Sequence, residues 1–510
     1  MLSTESSPAI RPGTQATGLN IALYWCALAL LAGVVFCGLV KPLLMLGRFI
    51  PLDPNEGWNA YFGLRAIDGG QLYPPAASLL TNNYPPLSFY IVGGVGRLTG
   101  DNIFAGRVIA LLSLLCVSWS IYSWLRLTGS AVKIGLLGAA VFLAYAVTYG
   151  RDYVAMNDPQ WLAHAIMMSG LLVLWQGKDS TRHIVAASIL MMAGGWTKHL
   201  LLPLPLAATV WLLWRSRPAF ATWAVCSAVV LAASAGLTWW LYGPAFFDSL
   251  LAPRQYLRHQ AMSTTEGALK CFAPVLVLWL ITLVRSRFSE RTGFISLYLV
   301  LSGLIGVAAS GGEGVDTNAF FDAMIGGSLA VALAVEALWD RPAAGESTQN
   351  GDGSLQGGNL RAARGPAAAL ALAVCLVSYA ASLARPQIEQ IENVGALEKA
   401  ALEDIQLISA RGHGRAACEL PGLCYWAKSQ FMVDFFFFGQ RLKTGRLPAS
   451  ACAATFGGST IPLVQLDPNP KARRKLLPEY CNALITSNYR AIRQSSFGPL
   501  MVPIGSSSLQ

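Results

Sequence analysis

Acidic and basic side chains stand in this chain at the ends of long apolar stretches, in groups whose types can do chemistry. They are Asp53 and Glu56 in Asp53-Pro54-Asn55-Glu56-Gly57-Trp58, then Arg151-Asp152-Tyr153, Asn157-Asp158-Pro159 and Trp196-Thr197-Lys198-His199. Proton transfer suits the carboxylates and anion binding suits the cations. Carboxylates held at a bilayer surface beside Lys and Arg are costly to desolvate and often mark a polar substrate path.

Each group also has a plain structural reading. Asp53 as N-cap, Pro54 at N1 and Glu56 at N3 make a helix-start signature. Trp58, Tyr61, Phe62 and Ala66 then repeat at helical spacing, as in an amphipathic helix lying on a membrane interface, where it holds the acids at headgroup level. Asp158 precedes Pro159 and can cap the following helix. Lys198 and His199 can snorkel from a helix end. In Asn83-Tyr84-Pro85-Pro86-Leu87 the prolines stiffen a turn.

The elements that position these residues follow from composition. The chain has 510 residues, 54% hydrophobic and 13% charged, with a mean hydropathy of +0.47. Globular chains are about one-quarter charged, so an ordinary soluble enzyme is excluded. The apolar residues gather in blocks of about 20, the length that crosses a bilayer. The formal charge of +10 does not point to nucleic acid, because the charges punctuate the apolar blocks.

The expected fold class is therefore an α-helical polytopic membrane protein of about eleven spans. They fall near 21–46, 103–125, 132–149, 159–175, 183–196, 199–214, 220–242, 268–285, 294–310, 322–339 and 366–384. Alternate connections carry Arg126 and Lys133, Lys178 and Arg182, Arg215 and Arg217, Arg285, Arg287 and Arg291, and Arg341, Arg361 and Arg364. By the positive-inside rule those loops are cytoplasmic. Residues 1–20 then form a cytoplasmic tail, 21–340 the main transmembrane module, 341–365 a Gly-rich cytoplasmic linker, and 366–384 the last span. Residues 385–510 form an outward domain, expected to be small and α/β. The first apolar block is too long for a signal-peptide core and is expected to stay as an anchor. Cys418, Cys424, Cys452 and Cys481 all lie in the outward segment. Two disulfides are expected there, with the pairing open, over a metal site whose spacing the sequence does not show.

Taken in order, Asn55-Glu56, Pro85-Pro86-Leu87, Arg107, Asp158 and Lys198 resemble the motif series of the GT-C superfamily of integral-membrane glycosyltransferases. The resemblance covers roughly residues 45–330. It is closest to the branch of protein O-mannosyltransferases, the lipid A aminoarabinose transferase and the rhizobial galacturonosyltransferases. Two departures stand out. Asn55 occupies the place of an Asp in the family's Asp-Glu pair, and Tyr84 stands where relatives have Lys or His.

The resemblance implies transfer of a sugar from a polyprenyl-phosphate donor to an envelope acceptor, which is a lipid, polysaccharide or protein. A base must take the acceptor's proton, and cations must stabilise the departing phosphate. Glu56 leads as the base and Asp53 follows closely, Asp158 orients acceptor hydroxyls or a cation, and a single base acting from the face opposite the phosphate inverts the anomeric centre. Lys198 and Arg107 are the expected phosphate partners, with Arg151 and His199 behind them. Trp58, Tyr61 and Tyr84 are candidates to stack on sugars, against an anchoring role at the interface. No cofactor is expected, and a divalent metal is not demanded. Membrane lipids surround the spans, and no nucleic acid is involved. A transporter or flippase of lipid-linked sugars is the rival reading, and it predicts charges in mid-span. Here the ionisable groups gather in outward loops. The absence of any Asn-x-Ser/Thr sequon favours a bacterial inner membrane, with the site facing the periplasm.

Overall fold

The computed structural model describes residues 12–285, 289–339, 364–469 and 476–505. Most of the 341–365 linker and residues 1–11 of the N-terminal tail lie outside the described residues.

A helix stands at each of the eleven expected positions. They are α1 (Pro12–Met45), α4 (Asn102–Leu127), α5 (Val132–Thr148), α6 (Gln160–Gln176), α7 (Thr181–Thr197), α8 (Pro203–Arg215), α9 (Arg217–Tyr242), α11 (Arg258–Arg285), α12 (Glu290–Ser310), α13 (Phe321–Trp339) and the helix Arg364–Glu392. Between them lie α2 (Pro54–Ile67), α3 (Leu87–Thr99) and α10 (Pro244–Leu250). Among the described residues seven helices are long and apolar enough to cross a membrane. The other four, α5 to α8, have 17, 17, 17 and 13 residues. A straight 17-residue helix reaches about 25 Å, short of a hydrocarbon core of about 30 Å.

The segment 317–339 is the centre of the bundle: 83% of its apolar window is buried, against 6% for α9 at the periphery. Small residues allow this close approach. Gly326 packs against Tyr298 and Leu299 of α12, and Gly327 against Val275 of α11.

The helix Arg364–Glu392 has 29 residues, about 43 Å at 1.5 Å per residue. It runs past residue 384, where the sequence suggested the last span would end, and carries Pro386 inside it. It leads to the helix Val394–Arg411 and then to an α/β domain. That domain holds a five-stranded sheet of order β2-β1-β3-β5-β4, comprising β1 (Arg415–Cys418), β2 (Gln430–Phe431), β3 (Val464–Gln465), β4 (Tyr489–Ser495) and β5 (Gly498–Pro503). β1 runs parallel to β2 and β3, and β5 runs antiparallel to β3 and β4. Disulfides join Cys418 to Cys424 and Cys452 to Cys481.

The domain sits directly on the first outward loop. Tyr61 stacks on Phe431 with ring centroids 4.1 Å apart, Trp426 Nε1 donates to Asp101 Oδ2 at 3.0 Å, and the Asn102 N–H donates to the Tyr425 hydroxyl at 3.0 Å. Gly57 makes the contact possible: a Cβ there would lie 2.0 Å from the backbone nitrogen of Gly422. At the other end of α4, the basic connections meet acids of their neighbours. Arg215 pairs with Glu290 at 2.8 Å and Arg291 with Glu336 at 2.8 Å. The sequence-read cytoplasmic loops thus share one end of the bundle, and the first loop and the α/β domain share the other.

Candidate functional site

The helix-start signature at residues 53–56 divides into two roles. Asp53 caps α2, its Oδ1 accepting from the Asn55 N–H at 2.8 Å. Glu56 points inward and is wholly buried. Its Oε1 accepts from Arg107 Nε at 2.8 Å and from the Asn157 N–H at 3.2 Å. Its Oε2 accepts from Arg107 Nη2 at 2.7 Å and from the Leu52 N–H at 3.0 Å. Arg107 spends its remaining donors on the carbonyls of Met45 at 2.6 Å, Arg48 at 2.9 Å and Ile50 at 2.6 Å. The pair therefore ties the end of α1 to the starts of α2 and α6, and among the described residues neither side chain lines either of the two cavities described below. The expectations of Glu56 as base and Arg107 as phosphate partner meet a geometry in which both are already fully engaged.

Asp53 lies where a substrate can reach it. It lines a cavity of about 240 Å³ between the first loop and the α/β domain. Burial raises its pKa to about 7, partly opposed by the Asn55 N–H and reinforced by the charges of Glu56, Asp158 and Asp152. A carboxyl poised there takes up a proton near neutral pH. The same cavity is lined by Trp58, Tyr84, Arg254, Asp434, Phe436 and Phe437, among others.

Arg254 and Asp434 are functional candidates that sequence reasoning missed. Arg254 follows Pro253 in the connection before α11, and its guanidinium lies 5.3 Å from the Phe436 ring centre and 5.2 Å from that of Phe437. It has no salt bridge among the described residues. Asp434 caps the helix Phe435–Lys443, accepting from the Phe437 N–H at 3.0 Å, and accepts from Trp58 Nε1 at 3.2 Å. Burial raises its pKa to about 6, against the pull of those bonds and of Arg254. Its one sequence signal was the cap position before the run of phenylalanines.

Lys198 stands behind this cavity. Its Nζ donates to Asp158 Oδ1 at 2.8 Å and lies 4.9 Å from the centre of the Tyr84 ring. Burial works against its charge, and Asp158 and Tyr84 outweigh that, holding the ammonium above its ordinary value. Asp158 Oδ1 also accepts from the Gln160 N–H at 2.8 Å, where α6 begins, while its Oδ2 is buried without a partner among the described residues. His199 is driven down to about 4 by burial and by the nearby Arg254 and Lys198, so it is neutral at pH 7. Tyr61 lies off the cavity, held by its Phe431 stack and by Arg65 Nη2 at 2.9 Å. Trp58 and Tyr84 do line it and meet edge to face at 5.3 Å. Among the described residues no three His, Cys, Asp or Glu side chains gather as a metal site.

Cys418 is also in the cavity wall, so its bond to Cys424 fixes the turn that carries Pro421 and Gly422 onto α2. Arg151 lies in a second cavity, of about 230 Å³, on the far side of Asp53.

Residues 81–335, half of the chain, match the family described as the 6-pyruvoyl-tetrahydropterin synthase related domain, a membrane protein. No curated protein matches the sequence. Two crystal structures of ArnT from Cupriavidus metallidurans share the fold. The apo form aligns with a TM-score of 0.61 at 12% identity, over 93% of this chain and 98% of that one. The form bound to undecaprenyl phosphate aligns with a TM-score of 0.56 at 14% identity, over 94% and 98%.

Proposed function

The chain belongs to the membrane-protein family of the 6-pyruvoyl-tetrahydropterin synthase related domain, and from that premise we propose that it is a glycosyltransferase drawing its sugar from a polyprenyl-phosphate donor. The observation that carries the reading is the coincidence of Asp53, Arg254 and a set of aromatic rings around one cavity at one end of an apolar helix bundle. The ArnT fold supports it, since one ArnT structure holds undecaprenyl phosphate.

The reaction balances with these residues. Asp53 takes the proton of an acceptor hydroxyl, and the acceptor oxygen bonds to the anomeric carbon. The bond from that carbon to the phosphate oxygen breaks, and its electron pair leaves with the polyprenyl phosphate. Arg254 holds the departing phosphate as charge develops on it. Lys198 keeps Tyr84 and Asp158 in place behind the phosphate, adding positive potential without direct contact. Trp58 and Tyr84 offer ring faces to the sugar, and Asp434 accepts from its hydroxyls. Attack from the side opposite the phosphate inverts the anomeric centre.

The prenyl chain remains among the spans, which explains a sugar transferase built into a bilayer. We place the protein in a bacterial inner membrane with this cavity facing the periplasm, as the charge bias of the loops favours. The test is transfer from a radiolabelled undecaprenyl-phosphate sugar in membranes, with mass spectrometry of envelope glycolipids from cells with and without the gene. Loss of a sugar-bearing species on deletion, restored by the wild-type chain and not by Asp53→Asn, supports the reading. Restoration by Asp53→Asn removes Asp53 as base.

A further inference from the structure

Asp53 is the single residue shared by the two cavities. The second opens between the end of α1, the turn Arg151–Tyr153 and the outward extension of the helix Arg364–Glu392. It is lined by Lys41, Arg151, Asp152, Asp316, Gln387 and Gln390, together with a few apolar residues. Apart from Asp53, none of its lining residues has a part in the reaction described above.

Its cations are under-used. Arg151 Nη1 is buried with no hydrogen-bond partner. The Arg151 Nε reaches only Asp152 Oδ1, at 3.6 Å, and the Asp152 side chain is 68% exposed, so that pair holds weakly. Lys41 has neither a hydrogen bond nor a salt bridge among the described residues. A buried guanidinium donor without an acceptor is costly, and an anionic ligand supplies the acceptor. Gln387 and Gln390, with Asp316, provide amide and carboxylate groups suited to hydroxyls.

We propose that this cavity is the acceptor subsite, and that the acceptor is a hydroxyl-rich sugar bearing an anionic group, phosphate or carboxylate, bound by Arg151 and Lys41. The inference rests on the glycosyltransferase reading and extends it. The donor's sugar approaches Asp53 from the aromatic cavity and the acceptor's hydroxyl from the polar one, so that one carboxylate stands between the two substrates. The anion anchors the acceptor sugar away from the reacting hydroxyl, and the donor phosphate stays with Arg254. A neutral acceptor's hydroxyls would satisfy the Arg151 donor but supply no charge to the two cations, and the charge-assisted bond is the stronger one.

The experiment uses the full chain in phosphatidylcholine nanodiscs and measures binding of glucose, glucose 6-phosphate and glucuronic acid by calorimetry. At least one of the two anionic sugars is expected to bind about ten-fold tighter than glucose. The comparison of the two tells phosphate from carboxylate. Arg151→Gln and Lys41→Gln should each erase the preference, Arg151→Lys should retain part of it, and Arg254→Gln should leave it intact. Undecaprenyl phosphate should bind Arg151→Gln as it binds the wild type. Equal binding of all three sugars, binding of none, or a preference that survives both Gln variants overturns the proposal. A preference lost only in Arg254→Gln places the anion in the aromatic cavity and overturns it as well. The underlying reading fails separately, by the absence of transfer from the labelled donor in wild-type membranes.

Discussion

Arg107 Nη2 lies 2.7 Å from Glu56 Oε2, with side-chain exposures of 1% and 0%, and the two groups between them satisfy the backbone of residues 45–52 and of Asn157. Removing one partner of such a pair strands a buried charge and costs about 3–5 kcal/mol. Arg107→Met and Glu56→Gln should therefore lower yield and melting temperature sharply in detergent. The double variant should lose less than the two singles added together. Asp53→Asn should fold normally, since Asn is as good an N-cap, and should lose about 100-fold or more in transfer, the usual worth of a general base. A well-folded Glu56→Gln protein with abolished transfer would return the base to Glu56.

The Asp53 carboxyl, raised to about 7 by burial, sets the pH dependence. Transfer requires the deprotonated form, so the rate should climb as pH rises through about 7 and level off above it. The sign for stability is the opposite. The unfolded carboxyl titrates near about 4, so between there and about 7 the folded state binds more protons, and stability from this group falls as pH rises across that window. Asp53→Asn removes the cost. Its melting temperature should exceed the wild type's by a small margin at pH 5 and by a larger one at pH 8, as thermal unfolding at the two values would record.

The sequence disclosed the helices and which loops share an end of the bundle, because long apolar blocks and the Lys/Arg bias are strong local signals. It also brought Asp53, Trp58 and Tyr84 to the site, since they follow one another in the first loop. It could not separate Asp53 from Glu56: both suit a helix start, and which one turns inward depends on Arg107, which is 51 positions further along the chain. Asp434 and Arg254 were invisible for a related reason. Asp434 enters the cavity because the α/β domain folds back onto the first loop, and Arg254 meets it there from the connection before α11, long-range contacts that leave no periodic trace. The short spans around Lys198 were ambiguous in the sequence because helices of 17 and 13 residues are marginal as crossings.

Arg254 supplies the cavity's unpaired guanidinium, and its planar fork suits a phosphate better than an ammonium does. Arg254→Gln should weaken undecaprenyl phosphate binding by about 10- to 100-fold, in line with loss of one charge-assisted contact. Arg254→Lys should recover part of it. Lys198→Gln should instead destabilise the fold, because it leaves Asp158 buried without its 2.8 Å partner. Binding titrations with the purified variants, alongside melting curves, separate the two cases. Equal phosphate affinity in Arg254→Gln would shift the phosphate role elsewhere.

Gly57 tests whether the α/β domain completes the site. A methyl group there would meet the Gly422 backbone at 2.0 Å, which packed backbone cannot yield to without moving. Gly57→Ala should keep the helix bundle, raise proteolysis between residues 392 and 421, and abolish transfer. Limited proteolysis and activity are measured on the same preparation, and an intact, fully active Gly57→Ala protein would show that the domain is dispensable.

The two disulfides should differ in what they do. Cys452 and Cys481 close a loop with a sequence separation of 29, and Cys418 and Cys424 one of only 6. Loop-closure entropy assigns about 3.6 kcal/mol to the longer and about 2 kcal/mol to the shorter. The order for activity should be reversed, because Cys418 lines the aromatic cavity and its partner lies in the turn that docks on α2. Cys452→Ser with Cys481→Ser should lower the melting temperature more and spare transfer at low temperature. Cys418→Ser with Cys424→Ser should lower it less and depress transfer at every temperature. If the shorter bridge only stabilises the domain, its loss will affect transfer no more than the loss of the longer one does.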